Sequence, residues 1–258
     1  MMEVIMENRL ILVEGIPGAG KTTTARKLRD LLISQGKDVI LYEEGMLHPA
    51  DMAWHAYLTE EEYETFVSEC QKMYESSERS ISKEELMKRI EKQVRREDDH
   101  IIIAYTRIDF PEQTYWKLTD VLASREIFDG RRSLDEFTAI HLTRWTRFKE
   151  EALKSDQTYI FECAFLQNHI FELMAIHEKN SDEIYAHLRS LLDTVKELNP
   201  AMVYVEPSSV KDAIDHVADE RRSPEDPDQD WIRQIAQWVS RSPYGRNQFY
   251  SCGCDHTL

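Results

Sequence analysis

The chain has no run of about 18 apolar residues, so nothing in it reads as a membrane span. It also lacks a basic surplus: 48 Asp and Glu face 32 Lys and Arg, a formal net charge of −16. Such an excess repels nucleic-acid backbones and anionic lipid surfaces, so no nucleic acid and no membrane is expected as a partner. A local basic pocket for a small phosphate ligand is still allowed. Cysteine is scarce. Cys70, Cys163, Cys252 and Cys254 make no disulfide framework, which suits a reducing cytosol, and the expected location is cytoplasmic. The opening "MMEVIMENRL" is too acidic and too poor in apolar residues for a secretion signal. Internal repeats and low-complexity tracts are absent.

What is present alternates between strand-like and helix-like segments. Residues 9–13 read as a short buried strand ended by Gly15, and Ala25, Leu28, Leu31 and Leu32 recur at helical spacing before Gly36. "DVILY" (38–42) is a second strand, so the first forty residues form a β-loop-α-β unit of a parallel sheet. Thr59 with Glu62, Ser82 with Glu85 and Ser133 with Glu136 are capping-box pairs, each opening a helix. The first carries Tyr63, Phe66, Val67, Cys70 and Tyr74 on one face, and the second Leu86, Ile90 and Val94. The third carries Phe137, Ile140, Trp145, Phe148 and Ala152. "HIIIAY" (100–105) reads as a strand or as an apolar loop under the helices. "TYIFECA" (158–164) is a third core strand and "AMVYVEP" (201–207) a fourth, with helices between them and after. The expected fold class is α/β: one domain over 1–258, a parallel sheet flanked by helices, with a largely helical insertion over 46–157. A lid over 208–230 and a tail over 242–258 complete the division. The tail holds Cys252, Cys254 and His256, residue types that bind zinc, but C-x-C spacing at a chain end gives it no assigned role.

The segment "LILVEGIPGAGKTTTARKL" contains G-x-x-x-x-G-K-[ST] without a mismatch, as Gly15, Gly20, Lys21 and Thr22. Glycines let the backbone turn tightly and aim successive N–H groups at phosphate oxygens, and the next helix adds its unpaired amides. Gly15, Gly18, Ala19, Gly20, Lys21, Thr22 and Thr23 are therefore the expected nucleotide cradle. Lys21 supplies charge to the β- and γ-phosphates, and Thr22 offers a hydroxyl to Mg²⁺, an oxygen-seeking ion. ATP and Mg²⁺ are the expected cofactors. A guanine-reading N-K-x-D segment and an L-S-G-G-Q signature are both missing, which argues against a GTPase switch or a cassette motor.

The same segment, and Glu14–Thr23 within it, closely resembles the opening of P-loop kinases related to thymidylate kinase and the deoxynucleoside kinases. The resemblance covers the order of elements over about residues 9–240, but only the phosphate loop is specific. It implies the P-loop NTPase fold, phosphoryl transfer from ATP to a small-molecule acceptor such as a nucleotide or nucleoside, and a homodimer. That family usually sets an arginine directly after the acid of the third strand; here the run is Glu162-Cys163-Ala164.

Glu162 closes a buried strand at the sheet edge where ligands of open α/β folds bind. It would hold a Mg²⁺-bound water, take the acceptor's proton, or merely cap the next helix. Arg221 and Arg222 suit phosphate oxygens as guanidinium forks in a lid, or else pair with the acids beside them. Glu206 has the same strand-end placement as Glu162. Glu43, Glu44 and Asp51 follow the second strand, where an acceptor's hydroxyls would lie. Arg144 lies in register with an apolar helix face, as an acceptor-binding arginine or as a stem on the core with its head in water. His48 beside Pro49 reads as a loop spacer. A nucleotide-binding regulatory or partner-binding protein with little catalysis is the alternative to a kinase.

Overall fold

The computed structural model describes residues 7–76, 82–110, 112–222 and 233. Its frame is a four-stranded parallel sheet in the order β2-β6-β1-β7. Strand β1 (Leu10–Gly15) is buried throughout and sits between β6 (Thr158–Glu162) and β7 (Ala201–Val205), with β2 (Val39–Tyr42) beyond β6. Because strand side chains alternate, β1 feeds two layers. Ile11 and Val13 pack with Ala25 and Leu28 of α1 (Lys21–Ser34). Leu10 and Leu12 pack with Trp145 and Phe148 of α5 (Leu134–Ala152) and Leu191 of α7 (Ser181–Thr194). Helix α1 stops at Gly36, whose amide returns to Ile33 O (2.9 Å) while that of Lys37 returns to Leu32 O (3.1 Å). The parallel sheet with helices on its faces is the expected α/β, P-loop NTPase arrangement.

One strand departs from expectation. Among the described residues β7 pairs with β1 alone, and Met202 and Tyr204 are each 53% exposed. Within those residues the fourth strand lies at the sheet edge, half-covered, where the sequence suggested a core strand.

The insertion between β2 and β6 is largely helical and also contains a second sheet, antiparallel, in the order β3-β5-β4. β3 (His55–Thr59) and β4 (Val94–Glu97) flank β5 (His100–Ala104), so "HIIIA" is a central strand. Three consecutive β-branched residues suit a strand buried on both faces. Ile101 and Ile103 face Phe66 of α2 (Glu60–Ser76), Ile90 of α3 (Lys83–Glu91) and Leu118 of α4 (Glu112–Ala123). Ile102 faces the other way, toward Phe137 and Leu173. Val94, grouped by periodicity with α3, instead begins β4, because the chain turns after Glu91. The hairpin between β4 and β5 turns at Asp98, whose φ of 49° is left-handed, a conformation that Asp tolerates.

Two of the three capping pairs close reciprocally, at Thr59 and Ser133, whereas at Ser82 only the hydroxyl takes part and the Glu85 carboxylate pairs with Arg89 (3.1 Å). The Thr59 hydroxyl accepts from the Glu62 amide (3.2 Å), that of Ser82 from Glu85 (3.1 Å) and that of Ser133 from Glu136 (3.3 Å). After β6 the chain forms the short α6 (Gln167–Phe171), which widens into a π-helical turn over Glu172–Ile176. Helix α8 (Val210–Glu220) follows β7, capped by Ser209. The expected helix through Trp231, Ile235, Trp238 and Val239 lies outside the described residues, as do the remainder of the lid past Arg222 and the tail with Cys252, Cys254 and His256. Among the described residues no helix is long and apolar enough to cross a membrane.

Candidate functional site

The site grows from the C-terminal end of β1. Gly15 has a φ of 154°, and a Cβ there would stand 2.5 Å from Val205 O, so only glycine lets β7 pass this close. Gly18, at φ 77°, packs so tightly on α8 that a Cβ would overlap Ala213 O and lie 2.7 Å from Val217 Cγ2. Gly20 then serves as the N-cap of α1. Gly18 and Gly20 are exposed while Lys21 is buried, so the turn is open to a ligand on one side and its cation is drawn beneath it.

Lys21 Nζ donates to Ile16 O (3.1 Å) within the loop and to Gln167 Oε1 (2.9 Å) on α6. Both acceptors are neutral. A phosphate oxygen would offer the same ammonium a charged and stronger partner, so these contacts are replaceable.

The second pole is Glu162. The register Val13↔Glu162 places it beside the end of β1, directly next to the loop. Its Oε1 accepts from the Thr22 hydroxyl (3.2 Å) and its Oε2 from the Glu44 amide (3.0 Å). Burial holds the Glu162 carboxyl above its ordinary range, against the lowering effect of the Glu44 amide. The helix-capping reading of Glu162 is not realised: α6 has Leu166 at its N-cap with no side-chain cap. A hydroxyl and a carboxylate oxygen side by side at the mouth of a phosphate loop are hard-oxygen donors of the kind Mg²⁺ takes. Thr22 and Glu162 thus fit that ion, directly or through water, and when bound it would neutralise charge on the phosphates. The following Cys163 takes a left-handed φ of 64° with its thiol buried, turning the chain sharply after the acid.

Several neighbours escaped sequence reading. Glu14, the last side chain before the turn, is fully buried; its Oε1 accepts from the Phe165 amide (2.7 Å). Burial pushes its carboxyl up to about 7, opposed by the amides of Phe165, Leu166 and Gln167 and by the Lys21 charge. Trp54 stands 45% exposed at a left-handed φ of 63°, its indole donating to Glu44 Oε1 (3.0 Å). Arg107 Nη2 donates to the Glu44 carbonyl (2.7 Å). Only the strain at Trp54 distinguishes it from any surface aromatic, and strain is invisible in a sequence.

The other expected residues divide. Glu44 is at the mouth through its amide, carbonyl and carboxylate together. Glu43 is held in a two-pronged pair with Arg26 (2.6 and 2.7 Å), which keeps its carboxyl below the usual range. Arg222 pairs with Asp219 (3.0 Å) on α8, and Arg221 caps that helix, so the alternative of pairing with nearby acids is realised for Arg222. Glu206 is exposed just past β7.

Arg144 and Asp51 are not brought to the phosphate loop. Arg144 is buried, with Nη1 on Glu97 Oε2 (2.6 Å), Nη2 on His48 O (2.7 Å) and Nε on Ala50 O (3.3 Å). Its head is therefore a tie between α5, β4 and the loop after β2, rather than an acceptor ligand or a solvated charge. Asp51 is buried in that same loop, its carboxylate toward the amides of Met52 and Ala53. His48 is no spacer either: its Nδ1 accepts from the amides of Ala50 (3.0 Å) and Asp51 (2.7 Å), and its ring meets Phe161 edge-on at 4.2 Å.

No curated protein matches the chain. The sequence model of one family, described as novel STAND NTPase 3 (nSTAND3), matches residues 1–141. That span holds the whole phosphate loop with Lys21 and Thr22, and most of the β3-β5-β4 insertion. It supports the P-loop NTPase part of the expectation and does not extend to the thymidylate kinase group. The match takes in 141 of 258 residues, more than half, so the chain belongs to the novel STAND NTPase 3 family.

Proposed function

We propose that this protein is a Mg²⁺-dependent nucleoside triphosphatase working as a nucleotide-operated regulatory unit, with ATP as its nucleotide. The observation that carries this reading is the double engagement of Glu162, which accepts from Thr22 on the phosphate loop and from the Glu44 amide on the loop after β2. Thr22 is also the hydroxyl that Mg²⁺ would claim. Drawing it toward an ion alters the hydrogen bonds of Glu162, and with them the hold on Glu44. Glu44 in turn carries Trp54 and Arg107, the first residues of the antiparallel insertion to meet the mouth. Nucleotide state would thereby be read out as the position of a loop some distance from the phosphates. Hydrolysis needs Glu162 to orient a water, a role that its place between Thr22 and the Glu44 amide at the mouth of the phosphate loop supports.

The test is indole fluorescence of the full chain titrated with Mg²⁺·ATP, alongside ³¹P NMR. The expected result is a signal change that disappears in Trp54→Phe, with inorganic phosphate as the released product. An unchanged signal, or ATP left intact over hours, overturns the reading.

A second reading, phosphoryl transfer to a small-molecule acceptor, is favoured by one observation. The exposed Trp54 ring and the Arg107 guanidinium stand together over Glu44, offering a stacking plane and a cation beside the phosphate end. The same ³¹P experiment with nucleosides, nucleotides and sugars added separates the two: a new phosphate ester resonance in place of inorganic phosphate decides for transfer.

A further inference from the structure

Behind the phosphate loop the structure gathers polar side chains that nucleotide chemistry does not use. Asp51 from the loop after β2, His141 from the middle of α5 and His169 from α6 are all buried, and one donor atom from each lies within 4.8 Å of the other two. Among the described residues Asp51 Oδ1, His141 Nε2 and His169 Nε2 each lack a hydrogen-bond partner. Buried polar atoms are paired in the great majority of cases, so three clustered side chains that each carry an unpaired atom call for an occupant.

The outer contacts say what kind of occupant. His141 Nδ1 lies 3.0 Å from Phe137 O. A carbonyl only accepts, so Nδ1 carries the hydrogen and Nε2 presents its lone pair. His169 Nδ1 meets His187 Nε2 at 3.0 Å, which fixes the ring and accommodates the same tautomer, with Nδ1–H donating outward. Metal-binding imidazoles are held in this manner, one nitrogen on an outer acceptor and the other on the ion.

We propose that Asp51, His141 and His169 bind one divalent transition-metal cation of the Zn²⁺ type at a structural position inside the fold, distinct from the Mg²⁺ expected at Thr22. Two imidazole nitrogens and one carboxylate oxygen suit zinc and its neighbours, whereas Mg²⁺ takes oxygen. Ligands bound at about 2.0–2.2 Å to one tetrahedral ion stand roughly 3 to 4 Å apart, so modest side-chain rotation closes the set. The ion would join three segments far apart in sequence: the loop leaving β2, α5, and the helix whose first residue, Gln167, holds Lys21. It rests on none of the nucleotide contacts, so nucleotide binding and metal binding fail independently.

The experiment uses the full chain carrying Cys252→Ser and Cys254→Ser, so that the tail thiols supply no ligand. Stripped with a chelator and dialysed against Zn²⁺, this protein should retain about one ion per chain and melt about 4 °C or more higher than the stripped form. Replacing Zn²⁺ by Co²⁺ should give visible ligand-field bands. His141→Gln and His169→Gln should each weaken zinc binding at least tenfold while Mg²⁺·ATP binding persists. X-ray absorption at the zinc edge of the Cys252→Ser, Cys254→Ser chain with its histidines intact covers the case in which a histidine variant fails to fold. Two imidazoles and one carboxylate oxygen at about 2.0–2.2 Å support the site. A folded chain that retains no zinc, affinity unchanged in both histidine variants, or a sulfur-dominated spectrum overturns it.

Discussion

Two buried cations among the described residues, Lys21 and Arg144, have opposite fates. Lys21 under the phosphate loop touches a carbonyl and an amide oxygen, both neutral. Arg144 under the antiparallel sheet touches two carbonyls and the Glu97 carboxylate, with Arg147 reaching the same carboxylate at 3.0 Å. Lys21 lies beneath an open glycine turn; Arg144 is buried against fixed protein partners. The difference shows that a buried positive charge signals ligand binding when its partners are weak and exchangeable. It signals architecture when they are a matched anion and fixed carbonyls.

The comparison is sharpened first at Arg144. Arg144→Ala leaves Glu97 to Arg147 (3.0 Å) and Arg95 (3.8 Å) and removes the tie to His48 and Ala50, which should cost about 3 kcal/mol of folding free energy. Urea denaturation measures it, and the nucleotide affinity of the remaining folded fraction should stay unchanged. Lys21→Ala should show the reverse: Mg²⁺·ATP affinity down about 100-fold by calorimetry, equivalent to roughly 2.7 kcal/mol, with the melting temperature within error of the parent. Stability lost without affinity lost in that variant would break the comparison.

Glu14 supplies the next test, because it adjoins Lys21 but is sealed from solvent. Its carboxyl titrates near 7 in the fold against an ordinary value of 4.5, so the folded state holds the proton longer than the unfolded one. Stability conferred by that proton is therefore lost as pH rises through this window. Glu14→Gln cannot ionise, and its stability relative to the parent should improve by about 2 kcal/mol between about pH 5 and pH 7. Thermal melts across that range should show the gap widening with pH; a gap that narrows would contradict the buried, protonated state. The smallest effect belongs to Gln167→Ala. If its contact to Lys21 is a place-holder for phosphate, removing it should change nucleotide affinity by less than about threefold, within the net worth of one hydrogen bond.

The sequence carried the phosphate loop because its chemistry is local. Gly15 through Thr23 are adjacent, and the apolar strand and amphipathic helix beside them have strong periodicity. Glu162 was legible for the same reason, as an acid closing an apolar strand. What failed to show was set by distant contacts. Arg144 looked like a surface stem because its partners, Glu97, His48 and Ala50, lie 47 to 96 residues away. Strand β4 was absorbed into the helix before it, since "VRRE" carries no alternation strong enough to resist the helical period. Asp51, His141 and His169 share no motif spacing, so only the folded chain places them together. For β7, an apolar strand pattern reported secondary structure correctly and said nothing of whether a neighbour would cover it.

The tight seat of Gly18 on α8 has a mechanical consequence. With Ala213 O and Val217 Cγ2 filling the space where a side chain would stand, the turn cannot change curvature without pushing on that helix. Eleven residues long, or about 16 Å at the helical rise, α8 acts as a stiff rod pivoted near its own middle. A shift of a fraction of an ångström at the glycine is thus carried along the rod to Arg221 and Arg222. Arg221 and Arg222 are joined to the phosphate end by a lever rather than a hinge.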